Sequence, residues 1–253
     1  MSCIDEQHRM PGLGDGAVIL GSRTDVTLEA YEAVSWQGKP ASISKAALAR
    51  IASSRELFLK LIEDPEVSIY GVTTGYGQYA KKRLSFEERK RQAATPPLAV
   101  DTAFGSPLPE RIVRGIILAR LANFLDGHAG VSADLAVSVA KMLEAPIPEV
   151  SSEGIGCAGE IQPLGQLFKS LCTNQAMGEK ESLALVNGSP AAAALLADRV
   201  LAAERRLSLA GAVFALSCEA ILAPMGPFDP RLAELWGNED EAAALSALGY
   251  FLK

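Results

Sequence analysis

Apolar residues recur at three- and four-residue intervals along most of the chain, and the pattern breaks at prolines, glycines and capping residues. A helix is predicted to start at the Thr27-Leu28-Glu29 cap, and a second to cover residues 42–61 with Ser42 or Ser44 as N-cap. Residues 67–70 read as a short extended run leading into a glycine-rich loop, 71–77. A charged helix over 85–92 stops before Pro96-Pro97, since neither proline donates a backbone hydrogen bond. Helices follow over 109–125, with Pro109 near its start, and over 132–143, capped by Ser132. Pro146 and Pro148 force a loop through 151–159. Ser189-Pro190 opens the longest helical stretch, which runs to about Ala223 and ends at Pro224 and Pro227; one or two short helices fill 228–253. The fold class is mainly α, with no internal repeat. Three parts are expected: a loose Gly-rich arm over 1–24, a domain over 25–188, and a long-helix segment over 189–253.

Composition sharpens this picture in a few places. With 253 residues, 49% hydrophobic and only 6% aromatic, the chain is long enough for a sizeable core and favours helices over sheets. A net charge of -6 gives no electrostatic case for nucleic acid or an anionic membrane. The four cysteines (Cys3, Cys157, Cys172, Cys218) form no C-x-x-C pair, and His8 and His128 are the two histidines, so neither a metal site nor another cofactor is expected. The polar start MSCIDEQHRMPG lacks a secretory apolar run, and free thiols suit a reducing cytoplasm. Residues 207–225 are nearly all apolar, but Glu219 interrupts them and Glu204-Arg205-Arg206 precede them, which fits a buried bundle helix better than a bilayer span.

Three segments carry the chemistry: Tyr70-Gly71-Val72-Thr73-Thr74-Gly75-Tyr76-Gly77, the stretch Gly154-Ile155-Gly156-Cys157-Ala158-Gly159-Glu160-Ile161-Gln162-Pro163-Leu164, and Leu183-Ala184-Leu185-Val186-Asn187-Gly188-Ser189. In this order and spacing they resemble the histidine and aromatic amino acid ammonia-lyases and aminomutases. Gly127-His128-Ala129-Gly130-Val131 and Phe228-Asp229-Pro230-Arg231 add to the resemblance, which covers residues 25–253 and the N-terminal half of such enzymes. It implies a helical fold in which 189–253 begins a long central bundle, a usually tetrameric assembly, and active sites shared between subunits. It also implies a methylidene-imidazolone group built from Ala-Ser-Gly, whose methylidene carbon arises by loss of the serine hydroxyl.

Here the triad is Cys157-Ala158-Gly159. Cysteine in first place contributes only its carbonyl, but Ala158 has no leaving group on Cβ, so no methylidene forms. Glu160 and Ile161-Gln162 replace the usual Asp and Leu-Ala, and the family's Ser-His pair is missing from 92–105. The family's C-terminal half, which supplies an arginine for the substrate carboxylate and a second tyrosine region, has no counterpart before Lys253. Ordinary ammonia elimination is therefore not expected.

Each candidate residue carries two readings. Tyr70 matches the family's catalytic base, or else packs the loop; a free tyrosine needs a polar environment to act as a base. Gly75 and Gly77 are expected to supply positive φ to the loop. Asn187 matches a residue that contacts prosthetic group and substrate, but Asn-Gly-Ser is equally a turn before a helix. Cys157 is a nucleophile beside a helix starting near Pro163, or an inert thiol. Glu153 and Glu160 form an acid–base pair, or cap a helix and face solvent. His128 reads as structural.

The expectation is an enzyme that works without the prosthetic group, catalysing an elimination, isomerisation or cyclisation on a small aromatic or amino-acid-derived substrate. Tyr70 is its base, and Gly77, Asn187, Cys157, Ala158, Gly159 and Glu160 contact the substrate. The alternative is a non-catalytic or partner subunit that buries its long helices by homo-oligomerising or by binding a second lyase-like chain.

Overall fold

The computed structural model describes residues 16–94, 103–154, 159–229 and 231–252, and the protein is mainly α. It divides into two compact units, residues 1–198 and 199–253.

The first unit is organised around α4 (Glu110–Leu125), where Ile112, Val113, Ile116, Ile117, Leu118, Leu121, Phe124 and Leu125 are all buried. Most of this helix is enclosed, and Glu110, Arg111 and Asn123 are its exposed positions. Around it pack α1 (Leu28–Ser35), α2 (Lys45–Leu61) and α5 (Ala133–Lys141). Gly115 permits the closest approach: a Cβ there would lie 2.3 Å from the Tyr31 hydroxyl oxygen of α1. Tyr31 in turn donates to the Ala194 carbonyl (2.7 Å), tying α1 to α8 (Pro190–Ala220). The buried Asp198 carboxylate completes that tie, accepting from Trp36 Nε1 (3.0 Å) and Arg111 Nε (2.7 Å).

Two caps land where the sequence puts them, Thr27 accepting from Ala30 N–H and Ser132 from Leu135 N–H. Ser85 and Glu88 form a reciprocal pair at the start of α3 (Phe86–Ala94), each side chain accepting from the other's amide. Helix C-termini are closed by arginines. Arg50 donates to the last carbonyl of α4, Leu125 O (2.8 Å), and the buried Arg114 to Val34 O (2.6 Å), Lys39 O (3.0 Å) and Leu143 O (3.3 Å). Each orphan carbonyl left buried would cost about 1–3 kcal/mol.

Several expectations are corrected. Residues 18–20 are not part of an arm but strand β1 (Val18–Leu20), paired in parallel with β2 (Ala41–Ile43). Val18 and Leu20 point inward and Ile19 outward, a period-two pattern too short to stand out beside glycines. Ser42 therefore lies in a strand, and Ser44, accepting from Ala47 N–H, caps α2. Residues 67–70 form no strand, and Pro109 is the N-cap of α4 rather than its first residue. A second ribbon pairs β3 (Ala103–Pro107) with β4 (Ser151–Gly154), antiparallel with one irregularity. Next to it lie α6 (Ile161–Asn174) and α7 (Glu181–Val186).

In the second unit the remainder of α8 is followed by a 3-10 turn at Gly226–Phe228, α9 (Leu232–Trp236) and α10 (Glu239–Phe251). Phe214 meets Phe228 edge to face, with ring centroids 5.6 Å apart. No helix among the described residues is long and apolar enough to cross a membrane.

Burial holds the Tyr31 hydroxyl at about 12, against an ordinary value near 10. Because the folded state keeps a proton that the unfolded chain releases, this stability is intact below pH ~10 and is lost as pH rises towards ~12, about 2–3 kcal/mol in all. Urea unfolding at pH ~9, ~10 and ~11 should show a steeper loss for the native sequence than for Tyr31→Phe. Equal slopes would contradict this account.

Candidate functional site

The Tyr70–Gly77 loop is built around one carbonyl. Ile69 O accepts from the amides of Val72, Thr73 and Thr74, and the Thr73 hydroxyl accepts from Ile69 N–H (2.7 Å) while donating to Val67 O (3.0 Å). Gly71, at φ +68°, lies close to α7, where a Cβ would sit 2.5 Å from Leu183 Cδ2; that side-chain tip can shift, so the left-handed backbone is what favours glycine here. Gly75 is not at positive φ, contrary to expectation. It is required by close approach instead, since a Cβ would lie 2.7 Å from the Tyr79 carbonyl oxygen. From α3, Gln92 Nε2 donates to Gly71 O (2.9 Å) and Thr74 O (3.4 Å), clasping the loop across its width.

Tyr70 is 53% exposed, and its hydroxyl oxygen accepts from the amide of Gly77 (3.0 Å), which does adopt positive φ. The loop therefore closes on its own tyrosine. The amide fixes the phenol oxygen in position and leaves its second lone pair open.

Asn187 ends α7 with an exposed side chain, while its backbone carbonyl accepts from Arg120 Nη2. Arg120 is a buried guanidinium of α4, and its Nε has no hydrogen-bond partner among the described residues. Burial pushes its pKa down to about 10, opposed by the charge of Glu160. Glu160 commits both carboxylate oxygens to the start of α8, accepting from Ala191 N–H (2.6 Å) and Ala192 N–H (2.7 Å). It thus supplies the anion that the helix N-terminus calls for. Helix α6 begins at Ile161, two residues before the start expected near Pro163.

Cys157 and Ala158 lie outside the described residues. Gly159 is exposed at φ +61°, in open space. Glu153 is exposed on β4, opposite Phe104, and His128 is exposed in its loop. Among the described residues no cluster of metal-ligating side chains is present.

The three motifs are brought together: Gly71 against Leu183, Arg120 on Asn187, and Glu160 on the turn that follows Asn187. A small cavity of about 10 Å³, room for about one water, lies between the loop, α3 and α7. A larger one of about 210 Å³ opens beyond the loop, lined by Ile62, Val67, Thr73, Arg83, Leu84 and Arg89 among others. Neither includes Tyr70 or Asn187 in its lining. Gln92 and Arg120 were missed from sequence. Arg120 stands as a cation inside the apolar run of α4, which was the available signal; Gln92 on a charged helix offered none.

The prosthetic group of enzymes with these motifs does not fit the chemistry of Cys157-Ala158-Gly159, because the middle residue has no hydroxyl to eliminate.

Residues 26–177 and 172–253 match the family described as aromatic amino acid lyase. The histidine ammonia-lyase of Deinococcus radiodurans is 27% identical over 253 residues, covering 90% of this chain and 48% of that protein. That of Anaeromyxobacter sp. (strain K) is 28% identical, covering 88% and 50%. The chain thus spans about half the length of these curated relatives. The fold is that of the phenylalanine aminomutase of Pantoea agglomerans (TM-score 0.82, 20% identity, 92% of this chain and 49% of that one). Histidine ammonia-lyase from Trypanosoma cruzi shares it too (TM-score 0.75, 23% identity, 92% and 50%). The chain belongs to the aromatic amino acid lyase family.

Proposed function

We propose that this protein is an enzyme that works without the methylidene-imidazolone group, acting on a small aromatic or amino-acid-derived substrate in specialised metabolism. Tyr70 takes a proton from the substrate and drives an elimination, isomerisation or cyclisation. The observation that carries this reading is the hydrogen bond from Gly77 N–H to the Tyr70 oxygen, which positions an accessible phenol at the mouth of an otherwise rigid loop. Gln92 keeps that loop in register, and the exposed Asn187 and Gly159 are further substrate contacts of this proposal. Cys157 and Ala158, which lie outside the described residues, are further substrate contacts of this proposal, and Glu160 caps α8. The names of relatives, histidine ammonia-lyase and phenylalanine aminomutase, support an amino-acid-derived substrate for this proposal.

A second reading is a partner subunit. It is favoured by the exposed apolar side chains along α8, among them Leu196, Leu207, Leu209, Val213 and Leu216. Exposed apolar surface on both sides of a helix is normally covered.

Three measurements test these readings. Incubated with histidine, phenylalanine, tyrosine and their acrylate products, the native chain should convert at least one compound. Tyr70→Phe should slow that conversion by about 100-fold or more with unchanged circular dichroism; a variant of full activity would remove Tyr70 from the chemistry. Intact-protein mass should equal that of the unmodified sequence, and a loss of one water mapped to residues 157–159 would show that the ring closes without the methylidene. Native mass spectrometry should find a homo-oligomer or a complex with a second lyase-like chain, whereas a monomer at micromolar concentration would count against the subunit reading.

A further inference from the structure

The cleft of about 210 Å³ beyond the glycine loop carries charges of both signs that do not meet. Glu63 and Asp64, just past the end of α2, line it together with Arg83 and Arg89. Among the described residues neither of these arginines lies within ion-pair distance of a carboxylate. Cations and anions are therefore held apart within one concavity.

The backbone enforces that separation. Residues 82–84 run beside the loop, with Gly75 N–H donating to Lys82 O (3.0 Å), Leu84 N–H donating to Thr73 O (2.9 Å), and Arg83 bridged to Thr74. Arg83 Nη2 donates to Glu66 O (3.1 Å), and Arg89 Nη1, from α3, donates to Ile62 O. Each guanidinium is thus anchored on a carbonyl and keeps further N–H donors. Asp64 Oδ1 is taken by the Glu66 amide (2.8 Å), whereas the exposed Glu63 carboxylate accepts no hydrogen bond among the described residues. Much of the remaining wall is apolar, from Ile62, Val67, Leu84 and the half-exposed Phe86 ring. Thr73 lines the cleft too, but its hydroxyl is already engaged with Val67 O and Ile69 N–H.

We propose that this cleft binds a zwitterionic α-amino acid with an apolar or aromatic side chain. The ligand carboxylate bridges Arg83 and Arg89, whose planar donors suit its two oxygens. Its ammonium goes to Glu63, and its side chain covers Val67, Leu84 and Phe86. A ligand of one sign leaves the opposite charge of the cleft unanswered, so neither a simple carboxylate nor a simple amine fits as well. A volume of about 210 Å³ suits one small metabolite rather than a peptide. Tyr70 and Asn187 are not in this lining, so the site is separate from the one proposed for catalysis and does not depend on that reading.

Isothermal titration of the full chain with L-phenylalanine should show saturable binding with a Kd of about 1 mM or tighter. 3-Phenylpropionate, which lacks the ammonium, and phenethylamine, which lacks the carboxylate, should each bind about tenfold more weakly. Glu63→Gln, a change at an exposed side chain, should weaken L-phenylalanine about tenfold and leave 3-phenylpropionate unchanged, while Arg83→Gln should weaken both. Tyr70→Phe and Asn187→Ala should leave all these affinities as they are, which separates this cleft from the proposed catalytic site. Absence of saturation by ~10 mM, equal affinity for the three compounds, or binding that survives both Glu63→Gln and Arg83→Gln overturns the proposal. Binding that Tyr70→Phe or Asn187→Ala abolishes overturns it equally.

Discussion

The first unit depends on the burial of α4 and on the two guanidiniums that this helix carries inside. Burying each Leu, Ile or Phe side chain contributes about 2 kcal/mol, and α4 contributes eight buried apolar residues. A helix so enclosed leaves its neighbours' chain ends in the dry interior, where their carbonyls find no water. Arg114 and Arg120 answer that constraint. One gathers the carbonyls of Val34, Lys39 and Leu143, and the other holds Asn187. The arginines are the means by which an apolar helix tolerates polar chain ends around it.

The same arrangement brings distant motifs together. Arg120 on Asn187, Glu160 on the amides of Ala191 and Ala192, and Gly71 against Leu183 form one continuous set of contacts. The charges of Arg120 and Glu160 reinforce one another across this set. These contacts are scaffolding whose replacement would disturb packing. Tyr70 differs: its ring is half exposed, and its hydroxyl is held by a single loop amide. A residue that contributes little burial and is nevertheless oriented is where chemistry is best sought. Ala158 limits what that chemistry is, since a residue without a side-chain hydroxyl cannot yield the methylidene carbon.

Helices, caps and motif identities were legible because they rest on neighbours in sequence. Thr27 and Ser132 cap within three residues, and the apolar spacing of α4 is read directly. The misreadings share a cause. Strand β1 exists because Val18 meets Ala41, Gly75 is needed because Tyr79 folds back over it, and Glu160 is a cap because α8 begins next to it. None of these partners is announced by local pattern.

What the sequence determined by itself is the helical class, the family, and the absence of a serine hydroxyl at position 158, all consequences of residue type and short-range periodicity. Only the tertiary structure decided which polar groups are spent and which are free. It shows Glu160 and Arg120 engaged in holding the frame, and Tyr70 exposed and oriented. The physical reason is that desolvation, hydrogen bonding and charge repulsion act between residues remote in sequence, and their sign depends on what packing brings within a few ångströms.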